Sequence, residues 1–166
     1  MWLLNRALEN SDVALKPYPG PKGSGLNSDR KKLLYVEDDD SVWEVTEFAL
    51  RKDYQLERAK NATEAFHSLR TKSYDLILMD IELQGSQLNG IEICQVLKGQ
   101  LKVDEPAFRA PVDISETPVV FVTAYATRYS REELIKAGGD DRITKPIDFT
   151  RLSLVISRLL IRSLSR

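Results

Sequence analysis

Residues 74–81 read YDLILMDI, a short apolar run that ends in a carboxylate and indicates the fold class. Its apolar residues do not alternate with polar ones, which predicts a strand buried on both faces, as in a parallel sheet. Asp80 then lies at the carboxyl end of the strand, the edge where open α/β sheets carry ligands and chemistry. Taken alone, Asp80 also fits a solvated strand end or a helix cap. The other strand ends of the chain decide between these interpretations.

The rest of the chain alternates short apolar runs with amphipathic stretches. This alternation predicts an α/β fold, a doubly wound parallel sheet with helices on both faces. Besides the central strand, strands are predicted at 33–36, 54–59, 118–122 and 142–144, and helices start near residues 41, 62, 91, 130 and 149.

Two helices have distinct capping and burial patterns. The first is expected to be capped by Asp40 or Ser41, and the second by Asn61. Apolar spacing assigns each an inward face. These faces are Val42, Val45, Phe48 and Ala49 in the first helix, and Ala62, Ala65, Phe66 and Leu69 in the second.

Two segments fall outside the regular pattern. Residues 16–25 read KPYPGPKGSG, and so many prolines and glycines cannot propagate a helix or strand. We therefore expect a flexible N-terminal extension and linker over 1–31, followed by one domain over 32–166. Residues 99–117 are too long for an ordinary connection between a helix and a strand, which predicts an inserted surface loop.

Composition restricts the environment and the partners. A single cysteine, Cys94, fits a reducing compartment without a disulfide framework. No apolar run reaches the length of a membrane span, and the basic residues are too few and too one-sided to indicate nucleic-acid binding. We expect a cytoplasmic protein with no membrane or nucleic-acid partner. The 20 residues after Pro146 suffice for a last helix but not for a DNA-binding output domain.

Polar residues follow four of the predicted strands. Glu37 and Asp38 follow the first, Asp80 the third, Thr123 the fourth and Lys145 the fifth. Because parallel strands end at one edge, these side chains should converge. Three carboxylates so close repel one another unless a cation lies among them, and oxygen ligands without His or Cys favour Mg²⁺. With a lysine and a hydroxyl nearby, Asp80 becomes a candidate nucleophile for phosphoryl transfer.

The ordered set Val36-Glu37-Asp38, Met79-Asp80, Val122-Thr123-Ala124 and Lys145-Pro146 resembles the receiver domain of bacterial two-component response regulators, the family of the chemotaxis regulator. The resemblance covers residues 32–165. It implies a flavodoxin-like five-stranded sheet of order 2-1-3-4-5 and a cis bond before Pro146.

The resemblance also implies the role of each site residue. Asp80 is the phosphoacceptor, Thr123 binds a phosphoryl oxygen, and Lys145 pairs with Asp80 or the phosphate. Glu37, Asp38, Asp80 and the main-chain carbonyl of Glu82 are the implied Mg²⁺ ligands, with Glu37 acting through water. The implied partner is a sensor histidine kinase or phosphotransfer protein. The implied chemistry is self-phosphorylation and slow self-dephosphorylation rather than turnover of a separate substrate.

Two positions depart from the family pattern. Gln84 stands where a proline usually follows the phosphoacceptor, and Arg142 replaces the aromatic residue that moves inward when the hydroxyl residue binds phosphate. Tyr125 could take over that aromatic role. These departures leave open a degenerate receiver that binds partners without phosphorylation. A doubly wound phosphohydrolase with an aspartate nucleophile is the other alternative, because Glu82 lies two residues after Asp80.

The last helix is expected to carry the output surface. Phe149, Leu152, Val155, Ile156, Leu159 and Leu160 recur at helical spacing and should face the sheet. Leu154 and Ile161 fall outside that face, beside a stripe of arginines. An exposed surface of this composition is typical of an interface with an unknown output protein or of a homodimer.

Overall fold

Strands and helices alternate along the chain as the hydrophobic pattern predicts. The computed structural model describes residues 30–125 and 127–163, so all of the extension over 1–31 except Arg30 and Lys31 lies outside the described residues. The elements are β1 (Lys32–Val36), α1 (Asp40–Leu50), β2 (Gln55–Ala59), α2 (Ala62–Thr71), β3 (Leu76–Asp80), α3 (Gly90–Leu97), β4 (Val119–Thr123), α4 (Arg131–Lys136), β5 (Asp141–Thr144) and α5 (Phe149–Ser163).

The five strands form one parallel sheet of order β2-β1-β3-β4-β5, which confirms the predicted fold. Alternate residues of β1, β3 and β4 enter two apolar layers, one on each side of the sheet, because successive strand side chains point to opposite faces. Helices α2 and α3 contribute to one layer, and α1 and α5 to the other. The register aligns the carboxyl ends, with Asp80 beside Val122 and Thr123 beside Thr144.

Most helix boundaries follow the caps and apolar spacing in the sequence. Asn61 caps α2, and its side chain accepts a hydrogen bond from the main chain of Glu64. The expected inward residues of α2 are all buried, and so are those of α5 apart from the partly buried Phe149. Among the described residues, none of the helices combines the length and the apolar character that crossing a membrane requires.

Helix α1 differs from its sequence-based prediction. Its cap is Asp39, which accepts a hydrogen bond from the main chain of Val42, rather than Asp40 or Ser41. Val45, Phe48 and Ala49 are exposed instead of inward, and Val42 is only partly buried. Thr46 and Leu50 occupy the buried face.

A polar side chain therefore takes a core position on α1. The Thr46 hydroxyl donates to the Val42 carbonyl (2.8 Å), which satisfies its hydrogen-bonding group without water. Phe48 remains 67% exposed, with the Arg51 guanidinium 4.8 Å from its ring centroid. A count of apolar spacing could not detect this arrangement, because it assigns threonine to the polar side.

The segment over 99–117 is held against α2. It contains two short 3-10 helices, Pro106–Phe108 and Ile114–Glu116. Phe108 is buried, and its ring centroid lies 5.5 Å from that of Phe66. Arg70 also donates to the carbonyl of Ala107 (2.5 Å). The segment thus has its own apolar anchor.

A buried carboxylate joins β5 to two helices. Asp141 accepts hydrogen bonds from the Arg142 main chain (2.8 Å) and from Arg158 of α5, and Arg131 of α4 lies 3.7 Å away. Burial raises the pKa of Asp141, but these donors and charges outweigh burial and hold the pKa below its ordinary value.

We predict that Asp141→Asn lowers the free energy of unfolding at pH 7 by about 1.5–3 kcal/mol, the usual contribution of hydrogen bonds to a charged group. Because the folded pKa lies below the unfolded value, this stability is present above that unfolded value, about 3.9, and is lost as pH falls through the folded pKa. Urea unfolding between about pH 3 and pH 7 measures the difference. Glu132→Gln, on exposed α4, is the control, with an expected change below about 0.5 kcal/mol. An Asp141→Asn deficit that does not shrink on acidification would contradict this account.

Candidate functional site

Three acidic side chains converge at the carboxyl edge of the sheet. Glu37 and Asp38 follow β1, and Asp80 ends β3. One carboxylate oxygen of each lies within 4.8 Å of the others. Glu37 is fully buried, Asp80 is 5% exposed, and Asp38 is partly buried. The fold therefore brings together acids more than 40 residues apart in the sequence, as their positions after parallel strands predict.

The Glu37 carboxylate is already well hydrogen-bonded within the chain. One of its oxygens accepts from the Tyr35 hydroxyl (2.8 Å) and from Lys145 Nζ (2.8 Å). The other accepts from the main-chain N–H of Asp39 (3.1 Å). These bonds allow a carboxylate to be buried completely.

Asp80 and Asp38 have fewer partners. Asp80 accepts from the Ile81 main chain (2.8 Å) through one oxygen and from Lys145 Nζ (3.0 Å) through the other. Asp38 accepts from the Gln84 main chain at 3.3 Å. Lys145 thus bridges Glu37 and Asp80, and Asp38 retains the most weakly bound carboxylate.

The charged groups of the site shift one another's pKa values. Burial, together with the negative charge of Glu37, raises the pKa of Asp80 to about 6, although Lys145 opposes both effects. Burial lowers the pKa of Lys145, but its bonds to Glu37 and Asp80 outweigh burial and raise that pKa above its ordinary value. Burial and the charge of Glu37 also raise the pKa of Tyr35, which remains a hydrogen-bond donor.

Thr123 and Lys145 are linked through the main chain. The Lys145 N–H donates to the Thr123 carbonyl (2.8 Å), which fixes the start of the loop after β5. Thr123 is fully buried, and its hydroxyl accepts from the N–H of Tyr125 (2.9 Å). The bond between Lys145 and Pro146 is cis, as the resemblance implies.

The loop after Asp80 is fixed by a close main-chain contact. A Cβ atom on Gly90 would lie 1.9 Å from the carbonyl oxygen of Asp80, so no other residue fits here without a shift of the backbone. The Gly90 N–H donates to the Ile81 carbonyl (2.9 Å). The first turn of α3 therefore packs directly beneath Asp80.

The Glu82 carboxylate binds the loop before α4. It accepts from the Tyr129 hydroxyl (2.9 Å) and from Arg128 (3.2 Å). Arg142, which stands at the position of the usual switch aromatic, donates to the Tyr129 carbonyl (2.8 Å). Tyr125 remains 49% exposed. A chain of contacts thus connects β5, this loop and the segment after Asp80.

Comparisons with known proteins agree with this geometry. Residues 33–157 match the family model described as the response regulator receiver domain. The chain belongs to this family. A putative response regulator from Chloroflexus aurantiacus superposes with a TM-score of 0.66 at 25% identity, covering 80% of this chain and 98% of that one.

Other receiver-containing proteins are similar in sequence or structure. The transcriptional regulatory protein YrkP of Bacillus subtilis is 33% identical over 130 residues, covering 77% of this chain and 49% of YrkP. For PilR of Pseudomonas aeruginosa, a response regulator protein, identity is 32% over 136 residues, covering 81% of this chain and 27% of PilR. The chain thus spans half or less of both relatives.

One structural neighbour concerns the metal. The receiver domain of the Pseudomonas aeruginosa sensor histidine kinase PA1611, with a magnesium ion coordinated in its active-site cleft, has a TM-score of 0.65 and 26% identity. The superposition covers 79% of this chain and 98% of the PA1611 receiver domain.

The acidic cluster of this receiver domain fits Mg²⁺ in its donor chemistry. Mg²⁺ takes one or two carboxylates directly and keeps several waters. Asp38 and Asp80 have oxygens with few partners, whereas both Glu37 oxygens already accept hydrogen bonds. This difference suits Glu37 to a contact through water.

Sequence reasoning missed two tyrosines of the receiver site. Tyr35 lies two residues before Glu37 on the same side of the chain, and period-two spacing could have indicated this contact. Tyr129 reaches Glu82 from a loop 47 residues away, and no local pattern signals that pairing.

We predict that Lys145→Met lowers the free energy of unfolding at pH 7 by about 3 kcal/mol without divalent cations, because it removes the shared cation of two buried carboxylates. In a Glu37→Gln background the same change should cost at least about 1 kcal/mol less, since the pair is already broken. Denaturant unfolding of the four proteins measures this coupling.

Lys136→Met on the exposed side of α4 is the control for loss of a lysine, with an expected change within about 0.5 kcal/mol. Strict additivity of Lys145→Met and Glu37→Gln would show that the two side chains do not depend on each other.

Proposed function

We propose that this receiver domain accepts a phosphoryl group on Asp80 from a sensor histidine kinase or phosphotransfer protein and signals through a changed binding surface. The observation that carries the proposal is the position of Lys145 Nζ, 2.8 Å from Glu37 and 3.0 Å from Asp80 within the acidic cluster. A buried carboxylate beside a fixed ammonium is suited to nucleophilic attack on phosphorus, where the ammonium offsets negative charge.

In the proposed transfer, an Asp80 oxygen forms a bond to phosphorus while the bond between phosphorus and the donor breaks. The donor's histidine nitrogen leaves with the electron pair of that bond. Lys145 then binds a phosphoryl oxygen in place of one carboxylate, and the Thr123 hydroxyl binds another. The Thr123 hydroxyl accepts a hydrogen bond from the Tyr125 N–H, so the hydrogen of this hydroxyl is available to donate.

Glu37, Asp38 and Asp80, with the main-chain carbonyl of Glu82, would hold Mg²⁺. When bound, the cation would neutralise the carboxylates and the charge that develops on the transferred phosphoryl group. Among the described residues, Lys145 is the cation that forms ion pairs with these acids, one positive charge against three carboxylates, which supports the proposal that a metal cation completes the site.

The phosphohydrolase alternative receives less support. That class needs a second acid two residues after the nucleophile to donate or accept a proton during the reaction. The Glu82 carboxylate instead accepts hydrogen bonds from Tyr129 and Arg128. The degenerate alternative is motivated by Arg142, whose guanidinium binds the main chain of Tyr129, and the phosphorylation test below separates it from the main proposal.

We predict that incubation with acetyl phosphate and Mg²⁺ adds the mass of one acid-labile phosphoryl group, and that Asp80→Asn abolishes the addition. Intact-mass spectrometry measures it. Asp53→Asn, exposed before β2, should be phosphorylated like the wild type. A wild type that never gains this mass with Mg²⁺ and a competent donor would favour the degenerate receiver.

The proposed output surface lies on α5. Leu154 is 67% exposed and Ile161 is 62% exposed, while the sheet-facing residues of the helix are buried. Large aliphatic side chains next to arginines are typical of an interface. Helix α1 provides a comparison surface, because Val45 and Phe48 are also exposed.

We predict that beryllofluoride with Mg²⁺ increases self-association or affinity for an output protein, and that Leu154→Glu with Ile161→Glu removes the increase without unfolding the chain. Sedimentation velocity measures self-association, and a pull-down measures affinity for an output protein. Val45→Glu with Phe48→Glu is the matched control and should respond like the wild type. An α5 variant that responds equally well would rule out this surface.

A further inference from the structure

The Arg58 side chain binds the main chain of Glu37 and Asp38, the two acids that follow β1. It is the penultimate residue of β2 and pairs with Tyr35 in the sheet register. Its side chain is only 13% exposed, although β2 is an edge strand. The guanidinium donates through Nε to the carbonyl of Glu37 (2.8 Å) and through Nη2 to the carbonyl of Asp38 (2.8 Å). Through Nη1 it also donates to the Asp40 carboxylate (2.5 Å).

These contacts fix two consecutive peptide groups. The guanidinium is planar and holds its donors in a rigid fork, so one side chain sets the directions of both carbonyls. The Glu37 N–H is also bound, to the carbonyl of Ala59 at 2.9 Å. Because the peptide groups on both sides of the Asp38 Cα are oriented by β2, the direction of the Asp38 side chain is oriented as well.

Charge and geometry predict opposite effects of Arg58 on a bound cation. A guanidinium near the cluster repels a divalent cation, so removing its charge should tighten binding if only electrostatics mattered. Loss of the hydrogen bonds from Arg58 to the main chain should weaken cation binding, since the carboxylates would no longer be held in place. The sign of the change therefore distinguishes the two roles.

Lys60 provides a matched comparison. Its ammonium donates to the same Asp40 oxygen as Arg58 (2.8 Å), and its side chain is 50% exposed. Lys60 carries the same charge as Arg58 and lies two residues after it. Its ammonium binds the Asp40 side chain instead of the carbonyls of Glu37 and Asp38.

We propose that Arg58 is the positioning residue of the acidic site, holding the main chain of Glu37 and Asp38 so that the Asp38 carboxylate faces the cation. This inference rests on the proposed function, because it presupposes Mg²⁺ at the cluster. Arg58 touches neither the cation nor the phosphoryl group in this account and acts through the acids.

The test is calorimetric titration of Mg²⁺ into the wild type, Arg58→Gln, Arg58→Lys and Lys60→Gln, below the unfolding temperature of each. We expect both Arg58 variants to bind Mg²⁺ about 10-fold more weakly or worse, in the range for supporting residues of metal sites. Arg58→Lys should not rescue binding, since it keeps the charge and loses the fork. Lys60→Gln should bind as tightly as the wild type or more tightly.

A metal-free readout accompanies the titration. The Gln84 N–H donates to the Asp38 carboxylate, so its amide resonance reports the position of that side chain. The resonance should shift in Arg58→Lys and stay unchanged in Lys60→Gln. If Arg58→Gln does not fold, Arg58→Lys decides the question.

Wild-type Mg²⁺ affinity in Arg58→Lys, or tighter binding in both Arg58 variants, would overturn the positioning role and leave the proposed function intact. Failure of the wild type itself to bind Mg²⁺ would remove the proposed function together with this inference.

Discussion

The structure depends on how three carboxylates are kept together at one edge of a sheet. Glu37 is fully buried and Asp80 nearly so, with Asp38 beside them, and one ammonium, Lys145, bridges two of the three. Burial and the negative charge of Glu37 raise the pKa of Asp80 above its ordinary value, which shows that the acids repel one another despite Lys145. An additional cation relieves the same repulsion, and this makes the site suited to Mg²⁺ and a phosphoryl group.

The fold supports this cluster from several sides. The parallel register aligns the ends of β1, β3, β4 and β5, and the close approach of Gly90 to the Asp80 carbonyl fixes the following loop. Tyr35 and the main chain of Asp39 complete the hydrogen bonding of Glu37. The charge of each acid is thus tolerated because main-chain and side-chain donors from separate elements face it.

Much of this arrangement is predictable because it depends on strong periodic signals. The unbroken apolar run before Asp80, the Asn61 cap and the apolar spacing of α5 each determine an element with little competition from other patterns. The convergence of Glu37, Asp38, Asp80 and Lys145 follows once the strands are known to be parallel.

The features that the sequence did not predict have specific physical causes. Thr46 occupies a core position on α1 because its hydroxyl bonds its own helix, and spacing rules treat it as polar. Arg58 and Tyr129 reach the site through long side chains from elements distant in sequence, and such contacts depend on the folded geometry rather than on local pattern.

A crystal structure with Mg²⁺ and beryllofluoride would test phosphoryl binding at Asp80 directly. We expect beryllium bonded to an Asp80 oxygen, fluorides in contact with the Thr123 hydroxyl and Lys145 Nζ, and Mg²⁺ among the acids. A structure in which beryllofluoride is absent from the cluster and Lys145 still bridges Glu37 and Asp80 at saturating ligand would contradict it.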